Sequence, residues 1–520
     1  MSKRVIGIDL GTSNTCIAVQ EDGRPVVIPN AEGARTTPSI VAFANDGSIL
    51  VGEPARRQAL INPTGTITTV KRLMGLDANG REFARLRDTL PYPIHADDNG
   101  GVAIEGSARD RTPVEISAMI LKRVRASAEE YFGEDCVDAV ITCPAYFDDA
   151  QRAATQDAGR LAGLNVLRVI NEPTAAALAY SRKQDKSGTI LIYDWGGGTF
   201  DCTILDCGEG VVQVRSTRGD AHLGGIDIDR SLIGIMRESW YRTHGTELGD
   251  DPLVAQRLSD AAEGAKIELS AVRDTDIMLP FLETTDAGPK HLEAHISRSR
   301  FERAIEPLVE RTLICCRQAL DDSGLEVTDI DEVLLVGGST KIPMVAEKLN
   351  EFFGKPPRKG VHADEAVALG AATHGATLGG STDDVLLLDV LPLSVGVAEG
   401  ERFAPVLRRN MPIPIARTEE FATVRDFQSA VKIRVFQGDH LKIEDNRLIG
   451  TFRLENLPPG RAGVVRLDVT FRVDENGLLG VEARDKRTGL SKSISIRDCV
   501  RLSDADIELY SRRIEEEMSQ

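Results

Sequence analysis

Three scarcities narrow what this chain can do. The eight cysteines, Cys16, Cys136, Cys143, Cys202, Cys207, Cys315, Cys316 and Cys499, form no CxxC pair. Zinc ribbons and disulfide frameworks need ligands at short regular spacing, so these thiols, the adjacent Cys315 and Cys316 included, read as reduced packing residues in apolar segments. No apolar stretch reaches the roughly 18 residues of a membrane span. The opening MSKRVIGIDL enters a strand-like run at once, without a signal core. The expectation is a soluble cytoplasmic protein. Basic patches are missing too: the net charge is -18 and the pI about 5.1. That balance opposes phosphate backbones and anionic lipid, so no nucleic acid and no membrane are expected as partners. HLEAH carries His291 and His295 four residues apart, but the order is not HExxH and the neighbours alternate as in a strand, which argues against zinc chemistry.

What remains is a chain of 520 residues, 42% hydrophobic and 27% charged, without low-complexity tracts. It is too long for one core and is expected to fold throughout, as two to four domains. Up to about Gly380, β-branched runs alternate with helical patterns, the signature of α/β architecture with a mainly parallel sheet. One helix is expected from Pro113 to Gly133, with Ile116, Met119, Ile120 and Val124 on its apolar face. Another is expected from an Asp148 or Asp149 cap to Gly163. Beyond Gly380 the texture changes to strict alternation, Val431, Ile433 and Val435 against Lys432 and Arg434, as in half-buried antiparallel strands of a small sandwich. Asn476-Gly477 reads as a type I′ hairpin turn. Between the two textures, DDVLLLDVLPLS is too apolar for a free linker and reads either as a docking segment or as an ordinary strand. At the end, Ser503 caps a helix.

One phrase occurs twice. GIDLGTSNT and YDWGGGTFD each place a strand, an aspartate, glycine and hydroxyls in that order. Such a turn offers backbone N–H groups and hydroxyls with little bulk, which suits phosphate oxygens. No GxxxxGKS or GxxxxGKT motif is present, so a P-loop is excluded. Two loops facing across a cleft would clamp a phosphate chain from both sides, with Asp9, Asp194 and Asp201 holding a hydrated Mg²⁺. LLVGGST, between a strand and a helix, could add backbone N–H groups.

Further stretches carry a resemblance: NAEGARTTPSIVAF, VKRLMG, VITCPAYFDDAQR, INEPTAAALAY, HLGGID, AAEGAKIELS, LLVGGSTKIPMV, ADEAVALGAA and DVLLLDVLPLSVG. With the duplicated loops, in this order, they resemble the DnaK-type seventy-kilodalton heat-shock chaperones. The resemblance implies an α/β, actin-like two-lobed ATPase domain with duplicated phosphate loops over 1–382. It further implies an apolar linker at 383–392, an all-β sandwich that binds peptides at 393–502, and the start of a lid helix at 503–520. It implies ATP/ADP and Mg²⁺ as cofactors, K⁺ beside Asp9 and Asp201, unfolded hydrophobic polypeptides as clients, and a J-domain co-chaperone and a nucleotide-exchange factor as partners.

By the same resemblance, Gly11, Thr12, Ser13 and Asn14 with Gly196, Gly197, Gly198 and Thr199 hold the phosphates. Lys71 reaches the γ-phosphate and the attacking water, while Glu172 and Thr199 assist. Gly224, Gly225, Glu263, Lys266, Ser270, Gly337, Gly338, Ser339, Lys341 and Asp364 surround the rest of the nucleotide. Val395, Val397, Phe421, Val424, Val431 and Ile433 line the peptide groove, with Val431 at its centre. Val385, Leu386, Leu387 and Leu388 dock as the linker, and Arg168, Asn171 and Asp389 meet the J-domain. Three positions depart from the family: Lys341 stands for an arginine, Ile226 for a glutamate, and Trp195 for a small aliphatic and is expected in the core. The chain stops inside the first lid helix, so fast peptide exchange in both nucleotide states is expected. A small-molecule kinase on the same fold, an actin-like filament protein and an inactive relative are the rival readings.

Overall fold

The computed structural model describes residues 4–518 apart from 88, 99, 107, 182–186, 209, 250, 286–287, 360–361, 381–385, 487–488, 490 and 496–501. Val385 and Cys499 therefore lie outside the described residues. Two sheets repeat one strand order. In the first, Asn165–Asn171, Asp138–Cys143 and Ile6–Leu10 run parallel, and Asn14–Glu21 and Arg24–Val27 follow antiparallel. In the second, Arg358–Lys359, Glu332–Val336 and Gly188–Trp195 run parallel, and Phe200–Gly208 and Val211–Asp220 follow antiparallel. The repeated phrase is thus a repeated fold, in which each copy turns from a central strand into its antiparallel neighbour. Asp138–Cys143 is buried along its whole length, as a parallel strand covered on both faces should be.

Two alanine-rich helices, Glu172–Ser181 and Ala366–Leu378, join the lobes. Both are apolar on nearly every side, which fits burial between two sheets. Their approach is so close that a Cβ on Gly370 would stand 1.7 Å from the Ala175 carbonyl oxygen. The expected helix after Pro113 runs Pro113–Phe132, opened by a Thr112 capping box and ended by left-handed Gly133. The next, Asp149–Leu161, is capped by Asp148 and not Asp149, and it ends two residues before Gly163, which takes a positive φ after the Ala162 C-cap.

The last quarter forms two four-stranded antiparallel sheets packed face to face. One holds Arg402–Leu407, Val395–Glu399, Val431–Gln437 and Arg447–Leu454; the other holds Ile415–Ala422, Arg466–Val473, Leu479–Asp485 and Ser491–Ser495. The Asn476-Gly477 turn differs from expectation. Only Gly477 has positive φ, and the Asp474 carboxylate accepts from the N–H groups of Asn476 and Leu478, so an aspartate-braced loop replaces the type I′ turn.

Both readings of the apolar segment hold together. Leu386–Val390 is a strand, and it docks by pairing parallel with Val211–Asp220 at the flank of the second sheet. Its other edge meets Pro412–Ile413 of the sandwich unit. The C-terminal helix Asp504–Met518 has the Ser503 cap expected, but it packs against the first lobe. Ile514 is fully buried in that lobe's core and Arg109 pairs with Glu517 at 2.8 Å, so this helix does not cover the sandwich as a lid would. Among the described residues no helix is long and apolar enough to cross a membrane.

Candidate functional site

The two glycine-hydroxyl loops meet face to face. A Cβ on Gly197 would stand 2.3 Å from Ser13 Oγ, and one on Gly198 would stand 2.4 Å from Thr12 Oγ1. A side chain at either position would have to displace the facing hydroxyl residue of the opposite jaw. Each loop is fixed by short bonds: Ser39 Oγ donates to the Gly11 carbonyl at 2.8 Å, and Ser339 Oγ donates to the Gly196 carbonyl at 2.9 Å. The cavity they guard measures about 350 Å³ and is lined by Asp9, Gly11, Thr12, Ser13, Asn14, Lys71, Glu172, Asp194, Gly196, Gly197 and Thr199 at one end. Gly225, Glu263, Lys266, Ser270, Gly337, Gly338, Ser339, Lys341 and Asp364 line the other end.

Three expected residues lie off this wall. The Gly198 carbonyl accepts from Arg72, which turns that glycine toward the first lobe. Gly224 packs so tightly on the Gly197 and Gly198 backbone that a Cβ would stand 2.5 Å from it, so it supports the loop from behind. Asp201 is buried and accepts from the Tyr146 N–H at 3.0 Å. Six cleft residues were not anticipated: Thr36, Ile267, Val336, Ile342, Ala363 and Val367. Ile267 follows Glu263 by four residues on the same helical face, so spacing could have found it.

The floor of the cleft is charged and little exposed. Lys71 Nζ donates to Glu172 Oε1 at 2.5 Å, with both side chains nearly inaccessible. Burial pulls the Lys71 ammonium down, but the charges of Glu172 and Asp9 outweigh it and the net shift is upward. Asp9 is pushed up to about 7 by burial and then by Glu172, with Lys71 opposing. Asp201 is also pushed up to about 7, by burial and Glu172. Asp194 rises further, through burial and then Glu172, Asp201 and Asp9. One ammonium among three buried carboxylates and the half-buried Asp9 leaves an excess of negative charge that a cation would relieve. Among the described residues no group of three or more His, Cys, Asp or Glu stands close enough to ligate a metal directly. Asp9 and Asp194 on the cavity wall therefore fit a hydrated cation held through water.

At the far end, Lys266 pairs with Asp229 at 2.9 Å and Lys341 with Asp364 at 2.5 Å. Ile226 is half-buried and does not line the cavity. Trp195 is fully buried in the second lobe's core, as expected. Arg72, missed in the sequence beside Lys71, joins the lobes: its Nε donates to the Gly198 carbonyl at 2.9 Å and its guanidinium pairs with Asp227.

A chain of contacts leads from this floor to the linker strand. Asn171, the residue before Glu172, donates to Asp389 Oδ2 at 2.8 Å, and Thr174 Oγ1 donates to the same oxygen at 3.3 Å. Arg152 bonds Asn171 and the carbonyls of Ala145 and Phe147. Arg168 pairs with Glu475 of the sandwich at 2.8 Å. Leu386 is 55% exposed, while Leu387 is partly buried against the core between the lobes and Leu388 pairs with Gln213.

In the sandwich the groove residues are not an open trough. Val395, Val397 and Ile433 are buried core, and Phe421 and Val431 are partly buried against that core. Val424 is 79% exposed on the loop after Ile415–Ala422. A family model described as Hsp70 protein matches residues 5–520. With a two-lobed α/β unit, its paired loops and the sandwich all in place, the chain belongs to the Hsp70 family.

Proposed function

We propose that this protein is an ATP-driven chaperone that holds exposed hydrophobic segments of unfolded polypeptides, with ATP hydrolysis in the cleft controlling the grip of the sandwich. The observation that carries this reading is a covalent adjacency: Glu172, which holds Lys71, follows Asn171, which holds the linker's Asp389. The division into 1–382, 383–392, 393–502 and 503–520 follows the same reading.

The interlocked loops and the LLVGGST turn bind ATP and ADP through backbone N–H groups and hydroxyls. Ile267 and the aliphatic stem of Lys341 sit at the adenosine end. Mg²⁺, reached through water by Asp9 and Asp194, would neutralise phosphate charge, and K⁺ would sit beside Asp9 and Asp201. Lys71 keeps its proton at neutral pH and offers a fixed positive charge where negative charge develops, without reorganisation during the reaction. Glu172 fixes the position of that charge, and Thr199 lines the cleft beside it. The docked strand Leu386–Val390 and the closed sandwich core make one arrangement. Its release and an opened groove around Val431 make the other. Nucleotide shifts this balance only by its differential affinity, commonly about 1 to 3 kcal/mol. A J-domain co-chaperone acts at Arg168, with Asn171 buried beside it on Asp389, and a nucleotide-exchange factor completes the cycle.

The test is steady-state ATPase of wild type and Lys71→Ala, with and without an apolar peptide and a J-domain protein. Stimulation of wild type by both, and a loss of about 100-fold in the variant, are expected. Absence of adenine-nucleotide uptake in calorimetry with Mg²⁺ would remove the proposal.

A further inference from the structure

Thr37–Pro38 pairs antiparallel with Asn14 and Thr15, which sets the next residue, Ser39, beside the first glycine-hydroxyl loop. Ser39 is 1% exposed and lies off the cavity wall. It nevertheless holds two of the loop's carbonyls: its N–H donates to the Ser13 oxygen at 2.9 Å, and its Oγ donates to the Gly11 oxygen at 2.8 Å. Because the Ser39 hydroxyl proton is engaged with Gly11, the 2.9 Å contact with Thr15 Oγ1 runs the other way, with Thr15 as donor. In a trans peptide the C=O and the following N–H point in opposite directions. A Gly11 carbonyl fastened to Ser39 therefore turns the Thr12 N–H away from Ser39, on a loop that lines the cleft. Among the described residues the N–H groups of Thr12, Ser13, Gly197, Gly198 and Thr199 donate to no protein group. The second loop divides the same work among several groups: the Gly196 carbonyl accepts from Ser339 Oγ and the Gly225 N–H, the Gly197 carbonyl from the Ile226 N–H, and the Gly198 carbonyl from Arg72. In the first loop a single residue holds both carbonyls.

We propose that Ser39 is a positioning residue for the phosphate chain of the nucleotide, acting through the loop and not by touching the ligand. With the Gly11 carbonyl anchored, the Gly11–Thr12 peptide presents a donor to a phosphate oxygen. Released, that peptide can turn and present its carbonyl, which repels the same oxygen. Ser39→Ala removes the Oγ bond to Gly11 but keeps the main-chain bond to Ser13, so the loop stays in place while one peptide loses its fixed orientation. This role rests on the proposed binding of ATP, and it confines the loss to ligands that carry phosphates.

The experiment is calorimetric titration of the full chain, as wild type, Ser39→Ala and Thr15→Val, with Mg·ATP, Mg·tripolyphosphate and adenosine. For Ser39→Ala the expected result is about tenfold weaker binding of both phosphate ligands, the upper range for one net hydrogen bond, with adenosine changed by less than about twofold. Thr15→Val removes the donor to Ser39 and leaves the Gly11 bond, so it should weaken neither phosphate ligand by more than about twofold. Ser39→Cys, which keeps a weaker donor, takes the place of the alanine variant should that one fail to fold, with a loss of about threefold expected. An equal loss for adenosine, a loss in Thr15→Val as large as in Ser39→Ala, or no loss for either phosphate ligand overturns the role. Uptake of Mg·tripolyphosphate but not of Mg·ATP by wild type would instead refute the ATP reading, because the tripolyphosphate comparison still decides Ser39.

Discussion

Binding of Mg·ATP should expel protons from the cleft. Asp9 and Asp201 are both pushed up to about 7 by their burial and the charge of Glu172, with Lys71 alone as the opposing cation. At pH 6 each is about 90% protonated and at pH 8 about 10%, by the ordinary titration curve. A bound cation that holds both as carboxylates releases about 0.8 proton more per group at pH 6 than at pH 8, or about 1.6 for the pair. Calorimetric titration with Mg·ATP in buffers of different ionisation enthalpy gives the proton count from the slope of heat against buffer enthalpy. The count should fall by about 1.6 from pH 6 to pH 8, and Asp9→Asn should cut that fall by about half. A count independent of pH, or one unaltered by Asp9→Asn, would mean that the carboxylates are already ionised and that the cleft does not call for a cation.

Two further outcomes follow from contacts outside the floor. Arg72→Met leaves Asp227 buried with Arg230 at 3.2 Å and Arg85 at 3.8 Å as its remaining cations, so a loss of about 3 kcal/mol, the low end for breaking a buried pair, is expected in denaturant unfolding. Because Arg72 spans the lobes, nucleotide dissociation measured by stopped flow should also quicken, and unchanged dissociation would confine its role to stability. Leu387→Asp places a carboxylate against the core between the lobes, so basal ATPase should persist while stimulation by an apolar peptide disappears. Retained stimulation would show that the linker strand carries no coupling.

How much was legible depended on whether a signal was local. Thr112, Gly133, Asp148 and Ser503 act through bonds within a few residues, so helix ends could be read closely. The duplicated loops were legible because the same turn chemistry was written twice. Arg72 was not, because its partners Gly198 and Asp227 are more than a hundred residues away and meet it only when the lobes close. Gly198, Gly224 and Asp201 carried the right motif but face the scaffold, since a sequence phrase does not say which side of a loop meets the cavity. The C-terminal helix was legible as a helix, whereas its seat on the first lobe depends on Ile514 and Glu517 finding distant partners. In the sandwich, alternation found the inward face, and Val395, Val397 and Ile433 proved to be core because that same face cannot at once fill the interior and stand open.

The strand Leu386–Val390 holds its place partly through its main chain, beginning with the Leu386 N–H on the Gly210 carbonyl at 2.9 Å. A segment attached this way reads shape more than spelling: the exposed Leu386 side chain can vary widely, whereas an imino acid there removes a rung. Lifting the strand also bares the rim of Val211–Asp220, a raw edge that invites any stray extended chain to take the vacated berth.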